Sequence, residues 1–146
     1  MSGLSVFKHS FKGDIVTPDD EGYTQAIARW AANAERNARV VAFVKDTDDV
    51  ALALKYARAN SLQVAIRGGG HSPSGASSAE DGLVVDLSRY LNYAAVDPEK
   101  RTARVGGGAL WSTVENEAIK HGLASAAGTV NHVCCWAYCN LRSMRY

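Results

Sequence analysis

Val64-Ala65-Ile66-Arg67-Gly68-Gly69-Gly70-His71-Ser72 decides how the rest of the chain is read. The apolar run at 64–66 reads as a buried strand, and the strand ends in three consecutive glycines. Backbone without side chains reaches conformations closed to other residues. It also brings several N–H groups up to one ligand, and concave arrays of such groups bind anions. His71 follows at once, a nucleophile and proton carrier near neutral pH. Two readings stand: a tight structural turn, or an anion cradle with a reactive ring at its rim. The apolar run before the turn and the small residues after it, Pro73-Ser74-Gly75-Ala76-Ser77-Ser78, favour the cradle. The usual phosphate signatures fail. A G-x-G-x-x-G pattern needs glycine where Pro73 stands, and no lysine follows as in G-x-x-x-x-G-K-[ST]. No helical pattern starts after the turn, so binding would rest on loop N–H groups alone.

Upstream, Tyr23, Ile27, Trp30, Ala31 and Ala34 fall at helical spacing, which predicts one amphipathic helix of about three turns from Gly22. Residues 39–44 read as a strand. Asp46 caps the next helix, with Asp48 and Asp49 as first-turn charge and Val50, Leu54 and Ala57 as its buried stripe. The order helix, strand, helix, strand predicts an α/β crossover with a parallel pair. Downstream, Leu83-Val84-Val85-Asp86-Leu87 is a further strand. Residues 93–96 and 102–105 flank Asp97-Pro98-Glu99-Lys100 as a hairpin. Gly106-Gly107-Gly108 then leads into a helix from about Ala109 to His121, closed by Gly122. The expected class is α+β: parallel strands with helices, on one side of the sheet, followed by mixed strands.

The 146 residues fit one domain, and the 47% hydrophobic content is that of a globular protein. A net charge of +1 without a basic run argues against nucleic acid or a membrane surface as partner. The first residues lack the apolar core of a signal peptide, and no stretch reaches the ~20 apolar residues that span a bilayer. The expected location is cytoplasmic. The three cysteines, Cys134, Cys135 and Cys139, are too clustered for a disulfide framework. With His132 they are also too crowded for the paired spacing of a zinc site, and no metal is expected. Trp30 and Trp111 read as partly buried packing.

Residues 64–87 closely resemble the PCMH-type FAD-binding domain of the vanillyl-alcohol oxidase superfamily, nearest to the berberine-bridge-enzyme-like oxidases. Val40-Val41-Ala42-Phe43-Val44 with Thr47-Asp48-Asp49-Val50 is similar to that domain's opening strand and helix. Arg104-Val105-Gly106-Gly107-Gly108-Ala109-Leu110-Trp111 is similar to its strand, turn and helix after the hairpin. Gly128-Thr129-Val130-Asn131-His132 is similar to the start of its next flavin loop. The likeness runs over 22–133. It leaves 1–21 as an irregular segment and 134–146 as a tail that departs from the family's glycine-rich continuation.

The resemblance implies FAD as cofactor. Arg67, Gly68, Gly69, Gly70, His71 and Ser72 would surround its pyrophosphate, with further contacts from Gly128 and Thr129. His71 would bond covalently to the flavin 8α carbon, which raises the flavin's potential and prevents its loss. The activity implied for the full-length family is hydride transfer from a small-molecule alcohol, sugar or amine to the flavin, with dioxygen as reoxidant. The family's substrate domain and its catalytic bases have no counterpart in the chain. No catalytic residue is therefore assigned, and the chain alone is expected to be a truncated, inactive product. The alternative is a non-catalytic fragment that binds FAD or another nucleotide.

Overall fold

The computed structural model describes residues 3–135 and the backbone of Ser143 and Met144. Trp136 and Cys139 lie outside the described residues. The helices are α1 (Gly3–Ser10), α2 (Tyr23–Ile27), α3 (Thr47–Ala59) and α4 (Trp111–Ala118). The strands are β1 (Asp14–Val16), β2 (Val40–Phe43), β3 (Val64–Arg67), β4 (Leu83–Asp86), β5 (Ala94–Asp97), β6 (Thr102–Val105), β7 (Ala124–Ser125) and β8 (Ser143–Met144).

The main sheet has the order β1-β2-β4-β3. β4 is parallel to both β2 and β3, and β1 is antiparallel to β2. The expected pairing of the strands before and after α3 is thus corrected. β4 separates them, in register through Val40↔Leu83 and Val64↔Leu83. Every residue of β2 and β4 is buried, as expected for parallel strands covered on both faces. On one face Val40, Ala42, Val44, Leu83 and Val85 pack against α1 and α3 through Phe7, Ala53 and Ala57. On the other, Val41, Phe43, Val84 and Ala65 meet Ala26 of α2, Ala38 and Ala79. Helices therefore lie on both sides of the sheet, not one.

The segment 1–21 is not irregular. Phe7 of α1 stacks on Tyr56 of α3 (4.4 Å between centroids, 12° between planes), and β1 extends the sheet edge. These partners lie far along the chain, and so short a segment carries no period of its own. β3 also differs from expectation. It is the last strand of the sheet, and Val64 and Ile66 are 41% and 47% exposed.

Asp46 caps α3 as its position predicts, accepting the N–H groups of Asp48 and Asp49. The buried stripe of α3 is Asp49, Ala53 and Ala57, and Leu54 points outward. Asp49 is fully buried. Its carboxylate accepts the N–H groups of Lys12 (2.9 Å), Gly13 (3.1 Å) and Lys45 (3.0 Å), which ties the chain before β1 to the end of β2.

The single helix expected over 22–34 is broken. α2 stops at Ile27, Ala28 turns to extended backbone, and only a short 3-10 turn follows at Ala32–Ala34. The cause is Arg29, whose Nη1 donates to the carbonyls of Ala26, Ile27 and Ala28. Those are carbonyls that a continuing helix would have used itself. Burial pulls the Arg29 guanidinium down to about 10, and the like charge of Arg67 acts in the same direction.

The expected hairpin β5–β6 forms, its first strand one residue later than expected, and pairs from Ala94↔Val105 to Asp97↔Thr102. It packs with α4 around a separate core of Ala109, Trp111 and Val114. No helix among the described residues is long and apolar enough to cross a membrane.

Candidate functional site

β2, β4 and β3 all end at the same edge of the sheet, and the C-terminal edge is where open parallel sheets hold ligands. Arg67 closes β3. Its Nη1 donates to the buried carboxylate of Asp86 (3.0 Å) and to the Ala26 carbonyl (3.1 Å). Asp86 also accepts the N–H (2.8 Å) and hydroxyl (2.6 Å) of Ser88. Nη1 of Arg67 is therefore committed to the fold, whereas its Nε is buried without a partner beside Gly70. Sequence reading missed Asp86. The only signal for it is that Arg67 and Asp86 stand opposite each other at the ends of paired strands, which requires the register to be known.

Past Arg67 the backbone changes character. The peptide N–H groups of Gly68, Gly69, Gly70, His71 and Ser72 donate to no group among the described residues. Gly70 has φ +67°, where L side chains are strained, and a Cβ there would sit 3.0 Å from Arg67 Nε and 3.2 Å from Arg29 Cδ. Its carbonyl accepts the Trp30 N–H at 3.2 Å. Arg29 Nη2 reaches across to the Ser77 carbonyl (2.8 Å), so the same loop is pinned on both sides of the turn.

The imidazole of His71 lies between two rings. Trp30 stacks on it with centroids 4.4 Å apart and planes 16° apart, and His132 packs at 4.8 Å and 43°. His71 Nε2 is buried and has no hydrogen-bond partner. The break after α2 is what swings Trp30 to this position. It is 62% exposed, not packed into the core, whereas Trp111 is fully buried. Arg29, Trp30 and His132 were not legible as site residues, because a helix over 22–34 would have put Trp30 on a core stripe.

The segment after residue 130 folds back along the start of α4. The peptide N–H of Trp111 donates to the Val133 carbonyl (3.0 Å) and that of Ser112 to the Asn131 carbonyl (2.8 Å). This brings His132 to His71 and Cys134 to the turn, where a Cβ on Gly68 would lie 3.2 Å from Cys134 Sγ. Ser72 shares a 2.9 Å hydrogen bond with Ser74. Gly128 packs on the Trp111 indole, and Thr129 is exposed. Among the described residues no hydrogen bond or ring contact joins these two to the turn. A cavity of about 600 Å³ lies elsewhere, between the hairpin and α4, lined by Val96, Ala103, Val114 and Leu123 among others. None of the turn residues lines it.

Five successive unshared N–H donors beyond a strand end, with no carboxylate bonded to them, suit a ligand rich in negative oxygens. His71 stands near the end of the same run, its ring bonded to no described residue. The donor set therefore fits the pyrophosphate of FAD.

The chain belongs to the FAD binding domain family, whose model matches residues 38–136. It is 34% identical over 119 residues to (R)-6-hydroxynicotine oxidase of Paenarthrobacter nicotinovorans, covering 82% of this chain and 26% of that protein. It is 35% identical over 126 residues to a FAD-linked oxidoreductase of Bacillus subtilis, YgaK, covering 86% of this chain and 28% of that one. Among solved structures, 6-hydroxy-D-nicotine oxidase from Arthrobacter nicotinovorans superposes with a TM-score of 0.81 at 32% identity, over 85% of this chain and 27% of that one. Glucooligosaccharide oxidase from Acremonium strictum, described with a 6-S-cysteinyl, 8α-N1-histidyl FAD, shares the fold at a TM-score of 0.76 and 20% identity, over 90% of this chain and 28% of that one. The chain spans about a quarter of the length of the curated relatives it matches. The fold is thus the mixed α/β arrangement of the N-terminal FAD-binding part of such oxidases.

Proposed function

We propose that this chain is the cofactor-holding part of a FAD-linked oxidase, with the turn at 68–72 receiving the pyrophosphate and His71 bonded covalently to the flavin. The observation that carries the reading is the run of five peptide N–H groups without a protein acceptor. The backbone from Gly68 to Ser72 binds and orients the phosphates. Gly70 supplies the left-handed kink within the run. Arg67 fixes the start of the turn through Asp86, and its Nε, unpartnered beside Gly70, is a further donor toward the ligand. His71 gives up a ring proton when its nitrogen bonds, and the tether then prevents loss of the cofactor. Gly128 and Thr129 make further contacts once a ligand bridges them to the turn. The chemistry a bound FAD supplies is two-electron oxidation of a small-molecule alcohol, sugar or amine, with dioxygen as terminal acceptor.

A second reading, FAD held without turnover, is favoured by the surroundings of His71. The groups in ring contact with it are Trp30 and His132, and no carboxylate hydrogen-bonds to it among the described residues. No residue of this chain is assigned as the base.

The chain is expressed with FAD, denatured in acid and run on a gel under ultraviolet light. Yellow fluorescence that stays with the polypeptide, and is absent from His71→Ala, is the expected result. Flavin released from the unsubstituted chain by acid overturns the tether, and failure to take up FAD at all overturns the assignment of the turn. Peroxide production on an alcohol, sugar and amine panel separates the oxidase reading from that of a cofactor held without turnover.

A further inference from the structure

We propose that Trp30 is a positioning residue for His71, its indole holding the imidazole in the orientation from which it bonds to the flavin. The inference rests on the assignment of His71 made above. Histidines that do chemistry are usually oriented by a hydrogen bond to the second ring nitrogen. His71 has none: Nε2 is buried and unpartnered, and no described group bonds to the ring. Its orientation must come from ring contacts, and the closest and most parallel of these is the Trp30 face.

Trp30 is itself held. Its N–H donates to the Gly70 carbonyl, one residue before His71. The preceding Arg29 forks to the Ala26, Ile27 and Ala28 carbonyls and to Ser77. The backbone that carries the indole is thus tied to both flanks of the turn, and the ring itself meets His71 face to face. At 62% exposure it contributes little to the core.

In the bond concerned, the His71 ring nitrogen replaces one hydrogen of the flavin 8-methyl group. An N–H and a C–H are broken and one N–C bond forms. The two protons and two electrons released pass to dioxygen, giving hydrogen peroxide.

The test follows covalent attachment in time after FAD is added to the full chain, by acid quench and in-gel fluorescence. Trp30→Ala should slow attachment about tenfold or more, since orientation errors of this kind weigh heavily on rate. Trp30→Phe, which keeps a stacking face, should recover most of the rate. Reversible FAD affinity, compared between His71→Ala and the Trp30→Ala/His71→Ala double variant, should change less than about threefold. That comparison also reports that the variant folds. Before FAD is added, the His71 ring protons should resonate upfield through the indole ring current and lose that shift in Trp30→Ala. Attachment at the unsubstituted rate in Trp30→Ala overturns the positioning role while leaving His71 as the anchor. A parallel collapse of reversible affinity overturns it in favour of a general structural role. Absence of covalent flavin in the unsubstituted chain overturns the anchor, and this inference with it.

Discussion

Asp49 shows how far one residue can depart from its local reading. Asp46 reads as the cap of α3 and behaves that way, whereas Asp48 and Asp49 both read as first-turn charge. Asp49 instead turns inward and accepts three backbone N–H groups from two other parts of the chain. Asp49→Ala should leave three buried donors unsatisfied and destabilise the fold by about 3 kcal/mol in urea unfolding. Asp49→Asn, which keeps one acceptor oxygen, should cost about half as much. A loss under ~1 kcal/mol for the alanine variant would show that water reaches those donors. Nothing in the local pattern distinguishes Asp49 from Asp48, because its partners sit 36 or 37 residues upstream, or before the helix starts.

At the scale of elements, local chemistry was legible and partnership was not. Asp46 before α3, Asp97-Pro98 in the hairpin and Gly122 after the last helical turn are local signals, and each element formed where they stand. The glycine turn was legible as a turn at a strand end, because three glycines after an apolar run leave the backbone free to kink. The strand order, the exposed edge of β3 and the loop that carries Trp30 depend on non-local contacts, above all those of Arg29. The two glycine runs also divide their labour. The first presents N–H groups, whereas the second packs backbone on backbone. A Cβ on Gly108 would lie 2.1 Å from the Leu87 carbonyl oxygen. Leu87 in turn donates to the Arg67 carbonyl at the base of the first turn. Gly108→Ala should cost at least ~2 kcal/mol, because backbone cannot yield as a side chain can. An unchanged melting temperature would mean that residues 87–91 shift without cost.

The molecule as a whole holds two bodies of unequal density. The sheet is buried on both faces by two apolar clusters, whereas the hairpin and α4 share one small core around Trp111. Local stability follows buried apolar contact. Amides of β2 and β4 should therefore exchange with deuterium only through global unfolding, and those of α4 through a smaller opening at lower free energy. Native-state exchange at rising denaturant measures both, and equal opening energies would show a single cooperative unit. His132 and Cys134 sit on this looser body and reach the turn from it.

The insertion of β4 between β2 and β3 also sets a timetable. A ribosome delivers β2 and β3 well before the strand that joins them, so the first sheet pairing open to the growing chain is the β1–β2 ribbon. Loop closure over non-local strands is slow. The strand end that carries the glycine turn gains its neighbour, and Arg67 gains Asp86, only once residue 86 has left the exit tunnel. A nascent chain arrested before that point holds all of 64–72 with the Trp30 and Ala26 contacts of the turn, but lacks the strand and the carboxylate that anchor its base.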